Sequence, residues 1–243
     1  MFKSILRSLA IAIAIAIMAP LSAFAITDEV PTCASVSGSF SGECTVDASR
    51  YVVTIKSALL MKRADDSNIS FVDTDADEQS FDISSASVGA ALADYASGYQ
   101  PPAGTYVGIA LTLSKTATLR ASIDNGSLSC RTTSSGATFE PVTASDYIIP
   151  SAFTDITSGS FASYNYSSAD DFEMWRDGSD DLVIVAKFPP GQEVVVRDGT
   201  AANVQIRVNF GTVDSALFVY SSGFCGGAYL YYPQAEVTLS VGS

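Results

Sequence analysis

From Tyr51 onward, apolar and polar residues alternate with a period of two, in runs broken by clusters of Gly, Pro, Asp and Ser. Successive side chains of a strand point to opposite faces, whereas apolar positions of a helix recur every three or four residues. The pattern therefore commits most of this chain to half-buried strands. The first run is Tyr51 to Met61, with Val53, Ile55 and Ser57 expected on one face and Val52, Thr54 and Lys56 on the other. Tyr106 to Ser114 is the clearest run. Val107, Ile109, Leu111 and Leu113 share one side, and Gly108, Ala110 and Thr112 form a small-residue side that can lie close under another layer.

Further strands are expected at 70–72, 80–83, 118–123, 127–132, 147–149, 161–166, 172–176, 182–188, 193–197, 204–210, 216–220, 228–232 and 236–241. Asp124-Asn125-Gly126 supplies a hairpin turn, and Arg176-Asp177-Gly178-Ser179 a second tight turn. One stretch alone follows helical spacing: Val88, Ala91, Leu92 and Tyr95, capped by Ser84 or Ser85 and stopped at Gly98 and Pro101-Pro102. About a dozen short strands with one short helix predict an all-β chain folded as an antiparallel two-layer β-sandwich. The turn-rich stretch 133–160 marks where two lobes would divide, but one continuous domain over 26–243 is the preferred organisation.

Residues 1–25 stand apart from this pattern. Lys3 and Arg7 precede an apolar run from Leu9 to Met18, and Ala23-Phe24-Ala25 offers the small residues of a cleavage site. This is the pattern of a secretory signal peptide, removed before Ile26. The run is shorter than the ~20 residues a membrane span needs. The mature chain is expected to be periplasmic, cell-surface or extracellular, with no membrane span.

Removal of the leader takes two of the 13 basic residues and none of the 26 acidic ones, leaving a net charge of −15. Such a surface repels phosphate backbones, which argues against nucleic acid as a partner. There is no histidine anywhere in the chain. Ser-His-Asp and Cys-His reaction centres are thereby closed, as are the usual His-containing zinc sites.

All four cysteines fall after the leader, which suits two disulfides in an oxidising compartment. Three connectivities are possible, and Cys33–Cys44 with Cys130–Cys225 is favoured. The first pair brackets a flexible stretch from Ser37 to Gly42, and the second would join distant strands and tie both sides of the 133–160 stretch together.

Pro102-Ala103-Gly104-Thr105-Tyr106, running into Val107 to Leu113, resembles a turn-and-strand of secreted bacterial β-sandwich modules, including prealbumin-like and immunoglobulin-like ones. Tyr51 to Met61 and Phe81-Asp82-Ile83 are similarly placed in some exported sandwich families of unknown function. The resemblance spans roughly residues 50 to 125 and implies an exported sandwich, with no activity attached.

Two acidic groups are candidate calcium sites. Asp73, Asp75 and Asp77 have the alternate-oxygen spacing that opens a calcium loop, although Glu78 and Ser84 stand where an EF-type loop needs Gly and Glu. Asp170, Asp171, Glu173, Asp177, Asp180 and Asp181 flank a hairpin. Trp175, Tyr229 and Tyr231 are candidate binding residues for a glycan or a protein partner. No catalytic set emerges, and calcium is the one cofactor considered. The sequence favours an exported, non-catalytic structural or adhesive protein of the cell surface or extracellular matrix. It would self-associate or join other surface proteins by β-strand addition, donating 26–32 or 236–241. The alternative is a calcium- or glycan-binding sandwich module.

Overall fold

The structure is a computed structural model that describes residues 30–37, 39–65, 68–85, 94–152, 156–167, 169–170, 172–188, 190–198, 203–210, 216–221, 224–230 and 235–242. Residues 1–25, expected from the sequence to be a leader, lie outside these residues. In chain order the strands are β1 (Gly42–Val46), β2 (Arg50–Arg63), β3 (Ile69–Asp73), β4 (Gln79–Asp82), β5 (Asp94–Tyr99), β6 (Gly104–Leu113), β7 (Ala117–Arg120), β8 (Ser122–Asp124) and β9 (Ser129–Thr133). They continue with β10 (Gly136–Thr138), β11 (Tyr147–Ile149), β12 (Phe172–Arg176), β13 (Leu182–Lys187), β14 (Val194–Val196), β15 (Asn203–Phe210), β16 (Ala216–Ser221), β17 (Phe224–Leu230) and β18 (Ala235–Gly242).

The largest sheet runs β11-β7-β2-β6-β13-β12, with β3 and β4 also paired to β2 and β14 to β6. Three smaller sheets have the orders β1-β16-β17, β10-β9-β8 and β18-β15-β5. All these strand pairings are antiparallel.

Side chains from the large sheet and from the smaller ones meet in one core, Tyr99 of β5 included. Tyr51, Val53, Ile55, Ala58 and Leu60 of β2 and Tyr106, Ile109, Leu111 and Leu113 of β6 join Phe218 and Tyr220 of β16, Ala228 of β17 and Cys130 of β9. Fully burying one such large side chain is worth about 1.5–3 kcal/mol. The opposite face of the large sheet has its own core of Met61, Val107, Ala110, Trp175, Val183 and Val185. Burial on both faces explains why Leu182 to Ala186 is an unbroken apolar run, not an alternating one.

Two register shifts correct the facing read from the sequence. Ile55 pairs with Leu113 and Ser57 with Thr112, so Lys56 is an extra residue in β2. A bulge of one residue reverses the parity of everything after it. Ser57 therefore leaves the Val53/Ile55 face, and Ala58 and Leu60 replace it in the core. Likewise Met61 pairs with Gly108 and Lys62 with Tyr106, leaving Val107 as the extra residue. Tyr106 takes the expected place of Val107 beside Ile109, and Val107 faces the second core with Ala110.

Three element assignments also change. Tyr95, expected in a helix, lies in β5 opposite Ile206, and Val88, Ala91 and Leu92 lie outside the described residues. Residues 118–123 form no single strand: β7 belongs to the large sheet and β8 to a smaller one, with the break at Ala121, whose N–H donates to Thr132 Oγ1. Residues 161–166, expected as a strand, begin with a 3₁₀ turn over Phe161–Ser163 that Ser160 initiates. In this segment Phe161, Tyr164 and Tyr166 all pack on the second core, which alternation in a strand would forbid. Among the described residues no helix is long and apolar enough to cross a membrane.

Candidate functional site

Two cysteine pairs stand at disulfide distance in the favoured pairing, with Cα–Cα separations of 4.9 Å for Cys33–Cys44 and 5.6 Å for Cys130–Cys225. The second links β9 in one small sheet to β17 in another. The N-terminal segment lies parallel to β1: Thr45 N–H donates to Pro31 O and Cys33 N–H to Thr45 O. Pro31 has no N–H to donate to this ladder. Asn125 Nδ2 donates to Cys33 O and fixes the segment from the other side.

The first acidic candidate follows β3. Thr74 is buried and its hydroxyl donates to Ala58 O at 2.9 Å, which anchors the loop to β2. Asp73 Oδ1 accepts the N–H of Asp75, a residue with φ of 52°. Asp73, Asp75 and Asp77 are exposed, and among the described residues no group of three or more His, Cys, Asp or Glu side chains converges on a common point suited to a metal. In the second acidic candidate, Asp177 Oδ1 accepts the N–H groups of Ser179 and Asp181 and shapes the turn between β12 and β13. Asp180 pairs with Arg176 at 3.3 Å. Asp171 lies outside the described residues.

Asp181 has a different role, which its place in an acidic run conceals. It is 4 % exposed, its Oδ2 accepts from Lys56 Nζ at 2.7 Å, and its Oδ1 accepts the Lys115 N–H at 2.8 Å. The bulge in β2 is what presents Lys56 to it. The hydrogen bond from the Asp181 carboxylate raises the Lys56 ammonium above its ordinary pKa, against the opposing effect of desolvation. A second charge group ties the 139–146 segment down: Asp146 bridges Arg50 at 2.8 Å and Arg120 at 2.7 Å. Burial alone would raise the Asp82 carboxyl. Hydrogen bonds from Ser84 and the Tyr51 N–H, with Arg50 beside it, hold it below the usual value instead.

Of the aromatic candidates, Trp175 is interior. It is 7 % exposed and packs edge-on against Phe161 with centroids 5.4 Å apart, beside Tyr164 at 6.0 Å. Gly159 permits this, since a Cβ there would fall 2.8 Å from the Trp175 side chain. Tyr229 is exposed on β17, and Phe224 on the same strand is more so, at 69 %. Tyr231 lies outside the described residues. The sequence places Phe224 near Tyr229, Tyr231 and Tyr232, but the side it takes is set by the extra residue at Gly226, where Val219 pairs with Gly227 and Tyr220 with Cys225.

The sheet edges differ in how they are finished. At β12, Gly159 N–H donates to Arg176 O and Arg176 N–H to Thr157 O, so part of that edge is covered by its own chain. At β1, Pro31 and Thr32 cover part of the edge. β5 breaks its register with β15 between Val204 and Ile206. β18 does neither. It pairs with β15 without a shift from Ala235↔Phe210 to Asn203↔Gly242, and has no further ladder partner among the described residues.

Comparison finds no matching family model, curated protein or solved structure.

What the described surface offers is an acidic exterior, a few exposed aromatic side chains and an eight-residue strand, β18, with one ladder partner among the described residues.

Proposed function

We propose that this chain is an exported, non-catalytic structural or adhesive subunit of a cell surface or extracellular matrix, associating by β-strand addition. In this reading residues 1–25 are a cleaved leader, and the small sheets stack on the large one as the second layer of an antiparallel sandwich across the shared core. The observation that carries it is the edge of β18. Soluble proteins blunt long edges with Lys, Pro, bulges or a covering segment, because a bare edge pairs with any strand that meets it. The sequence Ala235-Glu236-Val237-Thr238-Leu239-Ser240-Val241-Gly242 contains neither Lys nor Pro, and its register is unshifted. The two cysteine pairs suit the oxidising surroundings of such a subunit. Residues 236–241, which the sequence suggested as a donated strand, are paired within the chain, so they serve here as the accepting edge.

The test is fractionation of the producing cell, with N-terminal sequencing and native size analysis of the recovered protein. A chain beginning at Ile26, outside the cytoplasm and in species larger than a monomer, is the expected result. Full-length chain retained in the cytosol overturns the export reading, and a surface chain free of any partner overturns strand addition.

A further inference from the structure

We propose that the Cys130–Cys225 bond is a redox-sensitive clasp between two of the small sheets. A small external thiol opens it in the folded chain by attacking Cys225 Sγ, while Cys33–Cys44 stays closed. Thiol–disulfide exchange requires a thiolate to reach one sulfur of the bond, so burial decides which bond reacts without unfolding. The two pairs differ in this respect. Cys33, Cys44 and Cys130 are all at 0 % exposure, and Cys225 alone of the four is partly open to solvent. Backbone pairing follows the same division. Cys33 N–H donates to Thr45 O, Cys33 O accepts from Asn125 Nδ2, and Cys44 lies opposite Phe218 within the unbroken β1–β16 ladder. Cys225 lies opposite Tyr220 at a break in the ladder, because the next residue, Gly226, is the extra one of the bulge. A bulge disrupts pairing locally, and Gly226 adds no side chain over that stretch. On the other side of Cys225, Phe224 stands in solvent.

The attacking thiolate forms a bond to Cys225 Sγ, the bond between the two cysteine sulfurs breaks, and its electron pair leaves on Cys130 Sγ, which takes a proton. A second thiol then attacks the reductant's sulfur in this mixed disulfide and frees Cys225 as a thiol. The pair has gained two electrons and two protons, and the reductant departs as its own disulfide. Burial of Cys130 disfavours its thiolate, so the first step is readily reversed and a second thiol is needed to complete the opening. The remaining ladders of β9 and β17 keep the two cysteines near each other, and a small disulfide re-forms the bond by the reverse steps. What the bond holds together is the contact between the β10-β9-β8 and β1-β16-β17 sheets. Tyr220, opposite Cys225, is buried there with its ring edge-on to Phe40 at 6.4 Å, and Phe40 belongs to the loop that Cys33–Cys44 closes. Opening the long link therefore loosens one side of this contact while the short link keeps the other.

The experiment uses the protein purified without reductant and exposed at about pH 8 to 2-mercaptoethanol, with samples stopped in acid at intervals and their thiols blocked. Trypsin separates the sites: Cys33 and Cys44 share the peptide ending at Arg50, Cys130 lies on 121–131 and Cys225 on 208–243. Mass spectrometry should find the mercaptoethanol adduct on Cys225 and the first free thiol on Cys130, at a rate at least about tenfold above the opening of Cys33–Cys44. In urea the two bonds should open at similar rates. With the long link open, far-ultraviolet circular dichroism should persist, and amide exchange should rise over 129–133 and 224–230 while 104–113 is unchanged. An adduct on Cys130, or Cys33–Cys44 opening first or equally fast, overturns attack at Cys225. The same rate ratio in urea shows that burial does not set the order and overturns the argument from the fold. Free thiols at Cys130 and Cys225 in the purified protein, unmoved amide exchange, or loss of the dichroism signal on opening overturns the clasp.

Discussion

Removing the Cys130–Cys225 link should destabilise the fold much more than removing Cys33–Cys44. The two differ chiefly in the loop each closes: 95 positions for the first and 11 for the second. In the chain-entropy treatment a loop of the longer kind restricts the unfolded ensemble by about 4.7 kcal/mol and the shorter by about 2.8 kcal/mol. Cys33, Cys44 and Cys130 are all fully buried, so the packing lost on replacement by Ala is of similar size at the two sites and largely cancels in the comparison. The remaining difference is about 2 kcal/mol. Urea unfolding followed by far-ultraviolet circular dichroism reads it directly. With a slope of ~2 kcal/mol/M, the Cys130→Ala/Cys225→Ala midpoint should fall by about 2.3 M and the Cys33→Ala/Cys44→Ala midpoint by about 1.4 M. Both slopes should rise, since an uncrosslinked chain exposes more surface on unfolding. The long link also holds β9 and β17, which belong to different sheets, so its loss loosens the shared core and not only a turn. Equal costs for the two double variants, or a larger cost for the short loop, would refute the reasoning.

Two other perturbations probe the buried polar groups. Burial pushes the Tyr106 and Tyr220 phenols up to about 12, so the folded state holds protons that the unfolded chain releases near pH 10. Their contribution is intact below the ordinary tyrosine value and is lost as pH rises through the raised one, by about 2.7 kcal/mol each at the upper end; tyrosinate absorbance should show at least two late groups that titrate with unfolding, and ordinary midpoints for every tyrosine in a folded chain would contradict this. Lys56→Met leaves the Asp181 carboxylate buried without its cation; the ~3–5 kcal/mol typical of fully buried pairs is roughly halved because Lys56 keeps solvent contact, and Lys56→Met/Asp181→Asn should recover part of that loss in thermal melts. A double variant less stable than the Lys56→Met single would count against the pairing.

The strand content was legible because alternation is a local property, and β2, β6 and β16 all appear where it is strong, while β13 is marked by a short apolar run. The misread points share one cause. At Lys56 and Val107 an extra residue switches the buried face, and nothing in the adjacent sequence marks it; only the partner strand fixes where the ladder shifts. Tyr95 fits a helical stripe with Val88, Ala91 and Leu92, but pairing with Ile206 in β15 overrides local spacing. Phe161 to Tyr166 has strand-forming composition, yet its aromatic residues are needed together on Trp175 and Phe71. Among the site residues, the cysteine pairing could be read from loop logic, whereas the ion pair of Asp181 and the facing of Phe224 depend on long-range pairing and could not.

Charge decides what kind of association is open to such a chain. Arg50, Lys56, Arg63, Arg120, Arg131 and Arg176 are each held by a carboxylate, while Lys115 and Lys187 donate to the Ser179 and Ala169 carbonyls. These eight of the 11 basic residues after position 25 are thus engaged within the molecule, and the acidic surplus is what another copy meets first. Two copies repel at long range, so any attraction between them must come from short-range terms. Backbone pairing along an edge carrying one acid in eight residues is such a term, because strand hydrogen bonds need no opposite charge. Added salt screens the repulsion and leaves those hydrogen bonds in place, so association through β18 strengthens with ionic strength, where a contact made by opposite charges would weaken.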